Sequence, residues 1–415
     1  MEAGPHIPIG ASRPETPSRA VRAALVHDWL TGMRGGEKCL EILCRAFPDA
    51  PLFTLLHDRG RMSPTIEAMT IQTSPLQRIP GVLRHYRHLL PVMPLAARSW
   101  RPEGVDVVIS LSHCVAKSVR VPPGVPHLCY CFTPMRYAWE GRAAYLDGWT
   151  GKPVRKAMAG AALDRLRAWD QATARGVTQF VAISETVRQR IARCYGRDSR
   201  VIPPPVDTAF YTPDPTTPRD GPYLCVSALV PYKKLDHAVT ACSATGRPLV
   251  VIGSGPERAR LEKLAGPSVQ FLGWQPDEVI RDHYRRCRAL LFPGEEDFGI
   301  VPAEALACGA PVIALNRGGV AETVDHRTGW RYDQPGPEPL CQAIEAFEAA
   351  GRPHDPFLAR RKAESLAPEV FHDRIVSLID EILSASPTIP GPHVPIRPGP
   401  RRDRRRPSDR IAESA

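Results

Sequence analysis

Short apolar strand patterns alternate with helical ones twice over in this chain, once on each side of a single proline-rich break, and few folds accommodate that order. In the first half, strands are predicted near Ala23–Val26 and at Leu52–Leu56, Val105–Ser110, His127–Phe132 and Gln179–Ile183. The stretch from Glu37 to Phe47 carries Leu40, Leu43 and Ala46 at helical spacing. Pro203-Pro204-Pro205 through Pro222 is dense in proline, threonine and aspartate and reads as a linker. Beyond it, strands are predicted at Tyr223–Ser227, Pro248–Ile252, Val269–Leu272, Ala289–Phe292 and Pro311–Ala314, each followed by a turn and a helix. Apolar strands alternating with helices give a parallel sheet covered on both faces. The expected fold class is therefore α/β, with two Rossmann-like domains facing each other across a cleft. Ligands of such sheets sit beyond the carboxyl ends of the strands. The expected division is a disordered segment 1–20, a first domain 21–205, a second domain 206–368, a helix 369–386 packing back on the first domain, and a disordered Pro/Arg-rich tail 387–415.

A length of 415 residues suits two domains, and 43% apolar with 24% charged residues is the mix of a globular protein. The net charge of +10 favours an anionic partner, although part of it lies in the tail at Arg401, Arg402, Arg404, Arg405 and Arg406. Eleven scattered cysteines, without CxxC or Cys/His spacing, read as reduced thiols and not as metal ligands. Pro5, Pro8, Pro14 and Pro17 interrupt the first twenty residues, which show no signal-peptide core, and no apolar run is long enough to span a bilayer. The expected location is the cytoplasm, at most on a membrane surface.

Phe292-Pro293-Gly294-Glu295-Glu296-Asp297-Phe298-Gly299-Ile300-Val301-Pro302-Ala303-Glu304 runs from a strand end through a small-residue loop into a helix that Pro302 suits. The amides of Phe298, Gly299, Ile300 and Val301 then face past the strand end, where a helix start favours a diphosphate. Glu296 and Glu304 flank it. Were the stretch all helix, eight steps would separate them by roughly 12 Å. A glycosidase acid pair spans roughly 5–9.5 Å, so these two better suit hydroxyls at opposite ends of a long ligand. Lys233 follows the first strand of the second domain, where an ammonium neutralises a diphosphate leaving group. Gly253 and Gly255 close the next strand in a loop that permits close backbone approach, and Gly318-Gly319 supplies another. In the first domain, Gly35-Gly36 opens a helix and turns amides toward a phosphate from the opposite wall. It is not the GxGxxG fingerprint, so a nicotinamide dinucleotide is unsupported. His113 ends a strand on the cleft side, and structural and catalytic roles are both open to it. No Asp-x-Asp pair occurs, which argues for holding the diphosphate without a metal.

Taken in order, Gly35-Gly36, Ser110-Leu111-Ser112-His113, Phe180-Val181-Ala182-Ile183-Ser184, Val201-Ile202-Pro203-Pro204-Pro205-Val206-Asp207, Lys233, Gly253-x-Gly255 and the Glu296/Glu304 block resemble glycosyltransferase family 4. The match runs from about Ala23 to Val376. Val26-His27-Asp28-Trp29-Leu30, Arg34-Gly35-Gly36-Glu37-Lys38 and Thr133-Pro134-Met135-Arg136-Tyr137-Ala138-Trp139 resemble a bacterial branch associated with mannosyltransfer in O-antigen or exopolysaccharide assembly. The resemblance implies a GT-B fold and a retaining transfer with front-side attack, with GDP-mannose as co-substrate and no other cofactor. It places Glu296 on donor-sugar hydroxyls, Glu304 on the ribose, Lys233 on the diphosphate and His113 near the reacting end of the sugar. Many members carry an arginine five residues before the lysine. Here Ala228 stands there, leaving Lys233 alone or with Lys234.

Between Glu67 and Glu103 there is no acidic residue, while Arg78, Arg84, Arg87, Arg98 and Arg101 alternate with apolar side chains. Such a segment fits an anionic membrane surface, where lipid-linked saccharide acceptors reside, and equally fits a surface helix packed on the first domain. The alternatives are a GT-B epimerase or phosphorylase, or a catalytically silent nucleotide-sugar-binding scaffold for which Ala228 speaks. Nucleic acid is the weakest partner, since no recognised binding module is present.

Overall fold

Two sheets account for the strands of the described residues, and every pairing within them is parallel. The computed structural model describes residues 21–142, 146 and 153–385; the expected disordered ends, 1–20 and 387–415, lie outside the described residues. The first sheet holds β1 (Ala23–His27), β2 (Pro51–Thr54), β3 (Thr70–Thr73), β4 (Val107–Ser112), β5 (His127–Cys131), β6 (Gln179–Ala182) and β7 (Ser199–Val201), in the order β3-β2-β1-β4-β5-β6-β7. The second holds β8 (Tyr223–Val226), β9 (Leu249–Ile252), β10 (Val269–Gly273), β11 (Leu290–Phe292), β12 (Val312–Leu315) and β13 (Gly329–Tyr332), in the order β10-β9-β8-β11-β12-β13. This is the expected α/β class. β1, β4, β5, β8, β9, β11 and β12 are apolar on both faces and almost wholly buried, as helix-covered sheets require. β4 runs two residues later than the predicted strand. β3, β7 and β13 had no counterpart in the prediction. All three are short edge strands whose apolar residues are interrupted by polar ones or glycine, and an edge needs no continuous apolar run.

The proline-rich stretch between β7 and β8 lacks regular structure, yet it is tied down. Val206 N–H donates to Leu366 O at 2.8 Å, and Arg360 donates to Thr208 O at 2.8 Å and Tyr211 O at 2.6 Å. The last described helix, Pro368–Ser384, lies against the first sheet, with Phe371 edge-on to Tyr130 at 5.4 Å between ring centroids and Arg200 paired to Glu381 at 2.7 Å.

The basic stretch is not a single surface helix, the alternative weighed for it beside a membrane contact. Pro80, Pro91 and Pro94, with Gly81 at φ 70°, break it into the short turns Pro75–Arg78, Val82–His85, Tyr86–Leu89 and Met93–Ala97. Val82, Tyr86, Leu90, Met93 and Trp100 pack into the first domain, while Arg78, Arg84, Arg98 and Arg101 are exposed. The side chain of Arg87 lies outside what is described.

A buried polar knot supports the loop that follows β5. Lys117 Nζ donates to Asp170 Oδ1 at 2.6 Å, to Asp170 O at 3.0 Å and to Thr173 Oγ1 at 3.1 Å. The other carboxylate oxygen of Asp170 accepts from Trp139 Nε1 at 2.8 Å and Tyr195 OH at 2.9 Å. Both charged side chains are sealed from solvent, so losing one strands the other. Lys117→Met is expected to lower the unfolding free energy by about 3–5 kcal/mol in urea denaturation.

Candidate functional site

Each sheet reverses its strand order once, between β1 and β4 and between β8 and β11, and the loops leaving those strands border the crevice where such sheets take their ligands. Asp28 follows β1 and His113 follows β4. Lys233 lies beyond β8 and Glu296 beyond β11. The groups with chemistry therefore stand at the two switch points.

On the first domain, Asp28 is fully buried. Its Oδ2 accepts the backbone N–H of His113 at 2.7 Å and of Cys114 at 2.9 Å, and its Oδ1 those of Val115 at 2.6 Å and Ala116 at 2.7 Å. His113 Nδ1 closes on Oδ2 at 3.0 Å. Burial opposes ionisation of Asp28, but the neighbouring imidazole and these donors hold its carboxyl at about 2. Burial likewise disfavours a charged His113, and the Asp28 carboxylate outweighs it and raises the imidazole above its ordinary value. Trp29, edge-on at 4.5 Å, and Phe132 at 6.3 Å flank the ring. With Nδ1 committed to Asp28, Nε2 is the ring nitrogen left for a ligand, on a side chain still 32% exposed.

On the second domain, Lys233 and Glu296 form an ion pair. Their loops stack backbone on backbone because glycines remove the obstructing side chains. A β-carbon at Gly253 would lie 1.8 Å from Ser227 O, one at Gly255 2.3 Å from Leu229 O, one at Gly294 2.8 Å from Lys233 O, and one at Gly319 2.4 Å from Phe298 Cα. The close approach at Gly253 and Gly255 is thus to the loop carrying Lys233. Lys234 is exposed, at φ 54°, at the start of the helix Leu235–Thr245.

The helix Ile300–Ala307 starts after Gly299 at φ 94°. Glu296 precedes it in a loop and only Glu304 is on it, so a helical spacing does not describe the pair. Pro302 removes one donor of the first turn, leaving the amides of Gly299, Ile300 and Val301 as the helix's unpaired start. This start faces the other domain. A β-carbon on Gly35, the first residue of the helix Gly35–Ala46, would stand 2.8 Å from Ile300 Cδ1. Two helix amino termini therefore meet across the crevice. Gly36 rests near Phe132 and near His27, whose burial lowers its pKa. Glu304 is 7% exposed, accepts from Tyr284 OH at 3.2 Å and lies 3.6 Å from Lys38 Nζ. Burial pushes its carboxyl up to about 7, against the pull of Lys38.

Several groups were not singled out from sequence. Asp28 and Arg136 lay inside runs noted only for their resemblance, and Asp297 lay between the two glutamates. Asp297 binds the first domain: its carboxylate pairs with Arg136 Nη2 at 2.6 Å and with Arg190, and its carbonyl accepts from Ser184 Oγ. Glu322 reaches the same way, accepting the N–H of Glu185 at 2.9 Å and of Thr186 at 3.0 Å. Arg34, whose charge acts on His113, stands beside the Gly35 helix start. Among the described residues no group of three or more His, Cys, Asp or Glu side chains is arranged to hold a metal ion. No helix among them is long and apolar enough to cross a membrane.

Residues 33–210 match the family model described as Glycosyltransferase Family 4, and residues 216–357 that described as Glycosyl transferases group 1. A GDP-mannose-dependent alpha-(1-6)-phosphatidylinositol monomannoside mannosyltransferase of Mycobacterium tuberculosis is 31% identical over 200 residues, 41% of this chain and 52% of that protein. The chain thus spans about half the length of the first curated relatives it matches. A D-inositol 3-phosphate glycosyltransferase of Acidothermus cellulolyticus is 28% identical over 357 residues, 76% of this chain and 74% of that protein. Among solved structures, the sucrose-phosphate synthase of Thermosynechococcus elongatus superposes with a TM-score of 0.65 at 19% identity, covering 88% of this chain and all of the other. HepE of Anabaena in complex with UDP does so with 0.63 at 15% identity, covering 86% and all of the other. At these identities the likeness shows the fold, two Rossmann-like units of GT-B type.

The raised Glu304 sets a pH dependence. A folded-state carboxyl held above its ordinary 4.5, at about 7, adds stability that is complete below 4.5 and lost as pH rises through 7. Melting curves from about pH 5 to about pH 8 should show the wild type losing several degrees relative to Glu304→Gln, which has no such proton to lose.

Proposed function

We propose that this chain, which belongs to the glycosyltransferases that join a family 4 amino-terminal domain to a group 1 carboxy-terminal domain, is a retaining, metal-independent hexosyltransferase using GDP-mannose. One observation carries the reading: the helix starts at Gly35 and Ile300 meet across the crevice, with Lys233 and Glu296 on one wall and His113 on the other. Two positive helix ends in contact favour a bound anion between them, and a sugar diphosphate has the charge and the length. Lys233 exchanges Glu296 for the diphosphate, and Glu296 turns to the sugar hydroxyls. Glu304, buried near Lys38, takes the ribose. Arg34 supplies the second cation that Ala228 does not. His113, kept charged and oriented by Asp28, donates from Nε2 to the sugar near its reacting carbon. The bond from that carbon to the diphosphate breaks as the acceptor oxygen bonds on the same face, and the acceptor proton leaves on a diphosphate oxygen. The Mycobacterium relative's GDP-mannose dependence supports the donor.

The acceptor in this reading is a lipid-linked saccharide of surface-polysaccharide assembly, such as O-antigen or exopolysaccharide, met at the cytoplasmic face of the membrane. Arg84, Arg98 and Arg101 are exposed beside Val92 and Leu95, which are 44% and 66% exposed. A cavity of about 550 Å³ lined by Leu90, Pro91, Met158 and Leu163, with His88 and Arg155 among its walls, opens in the same region. Apolar side chains ringed by cations match an anionic lipid surface.

Lys233→Ala is expected to weaken GDP-mannose binding by about 2–4 kcal/mol in calorimetry, and wild-type affinity would remove Lys233 from the diphosphate. Glu296→Ala should lower kcat by about a hundredfold or more with an unchanged melting temperature. Replacing Arg84, Arg98 and Arg101 together by glutamate should abolish co-sedimentation with anionic vesicles; undiminished binding would place the membrane contact elsewhere.

A further inference from the structure

Asp297 takes no part in the chemistry above, yet it is the most heavily bound residue of the Glu296 loop. We propose that Asp297, through Arg136 and Arg190, is a positioning residue that sets Glu296 for the sugar only while the cleft is closed. The inference rests on the transferase reading for its substrate and on the geometry for everything else.

The loop is held from both domains. On its own side, Glu296 O accepts the N–H of Gly319 at 2.9 Å, and Glu296 bridges to Gly318. On the other side the next residue is held by the first domain, through Arg136 and Arg190 on the carboxylate and Ser184 Oγ on the carbonyl. The peptide that joins Glu296 to Asp297 lies between these anchors, so Asp297 fixes the chain on the side of Glu296 that the Gly318–Gly319 contacts leave free. When the domains part, Asp297 loses all three partners together and only the Gly318–Gly319 side keeps hold.

The first-domain half of the clasp is rigid. Arg136 sits in the loop that Trp139 pins to the buried Asp170. Arg190 lies on the helix Glu185–Tyr195, its side chain only 9% exposed, and is steadied by Glu140 at 2.9 Å. Ser184 caps that helix on Val187 N at 3.1 Å, and Glu322 of the second domain accepts from its first two amides. Asp297 is 15% exposed, so its charge is largely removed from water and depends on these arginines. A misaimed Glu296 still leaves the nucleotide its contacts at Lys233 and Glu304. The clasp therefore governs turnover and closure more than nucleotide affinity.

Asp297→Asn keeps the size of the side chain and removes its charge. In the full chain, calorimetry with GDP should give a Kd within about threefold of wild type, while kcat with GDP-mannose falls by about tenfold or more and KM for the donor changes little. Small-angle scattering with saturating GDP should show a larger radius of gyration than wild type. Arg136→Ala should reproduce both effects, Arg136→Lys should recover part of them, and the double variant Arg136→Ala/Asp297→Asn should be no worse than either single change. Wild-type kcat together with a wild-type radius of gyration in Asp297→Asn overturns the proposal. If the wild type fails to turn over GDP-mannose, the transferase reading falls, and scattering with GDP still decides the clasp: an Asp297→Asn protein as closed as wild type overturns it, and a more open one upholds it. Should Asp297→Asn fail to fold, the comparison of Arg136→Ala with Arg136→Lys decides on the same readouts.

Discussion

Two helix amino termini, one from each unit, brought within the reach of a single side chain are the constraint around which this molecule is arranged. Each carries roughly half a positive charge from its unpaired amides. Gly35 lets them come close: a β-carbon there would meet the Ile300 Cδ1 methyl at 2.8 Å, and that methyl would have to turn aside. Such an arrangement is electrostatically unfavourable when empty and strongly favourable around an anion. The surrounding residues serve that one fact. Asp28 collects four amides of the neighbouring loop, fixes the orientation of His113 and favours its charged form, and the glycine contacts stack the second domain's loops tightly enough to bring Lys233 beside Glu296.

The ion pairs in the crevice are of two kinds. Lys233 and Glu296 neutralise each other, and in the proposed reading that pair opens when a sugar diphosphate offers each a partner. Asp28 and His113 form a permanent pair, because the backbone donors on Asp28 do not depend on any ligand. In that reading one wall is preset and the other is exchanged on binding. Preset charge costs no rearrangement when the bond breaks, which is where fixed dipoles act most strongly.

Much of the architecture was legible in the residues. Central strands such as β9, β11 and β12 are continuous apolar runs, as burial on both faces favours. β3, β7 and β13 were not legible, because their residues are chosen by one neighbour and by solvent. The site was readable as far as single positions go: Lys233, Glu296, Glu304, His113 and Gly35 all lie about the crevice. Pairings were not readable. Asp297 finds Arg136 across 161 positions of chain, and no local spacing encodes that meeting. Gly253 and Gly255 illustrate the same limit, since a glycine signals a close approach without naming what approaches. In the basic stretch the apolar side chains that pack inward were legible, but its division into short turns comes from Pro80, Gly81, Pro91 and Pro94.

The chain crosses between the two units twice, and the crossings are stitched together. Val206 on the outward passage bonds Leu366 on the return, and Arg360 reaches across to Thr208 and Tyr211. Bundled in this way, the two strands of backbone behave as one pivot at one side of the molecule. A tie of this kind restrains the two units from sliding past one another more than from hinging apart about it.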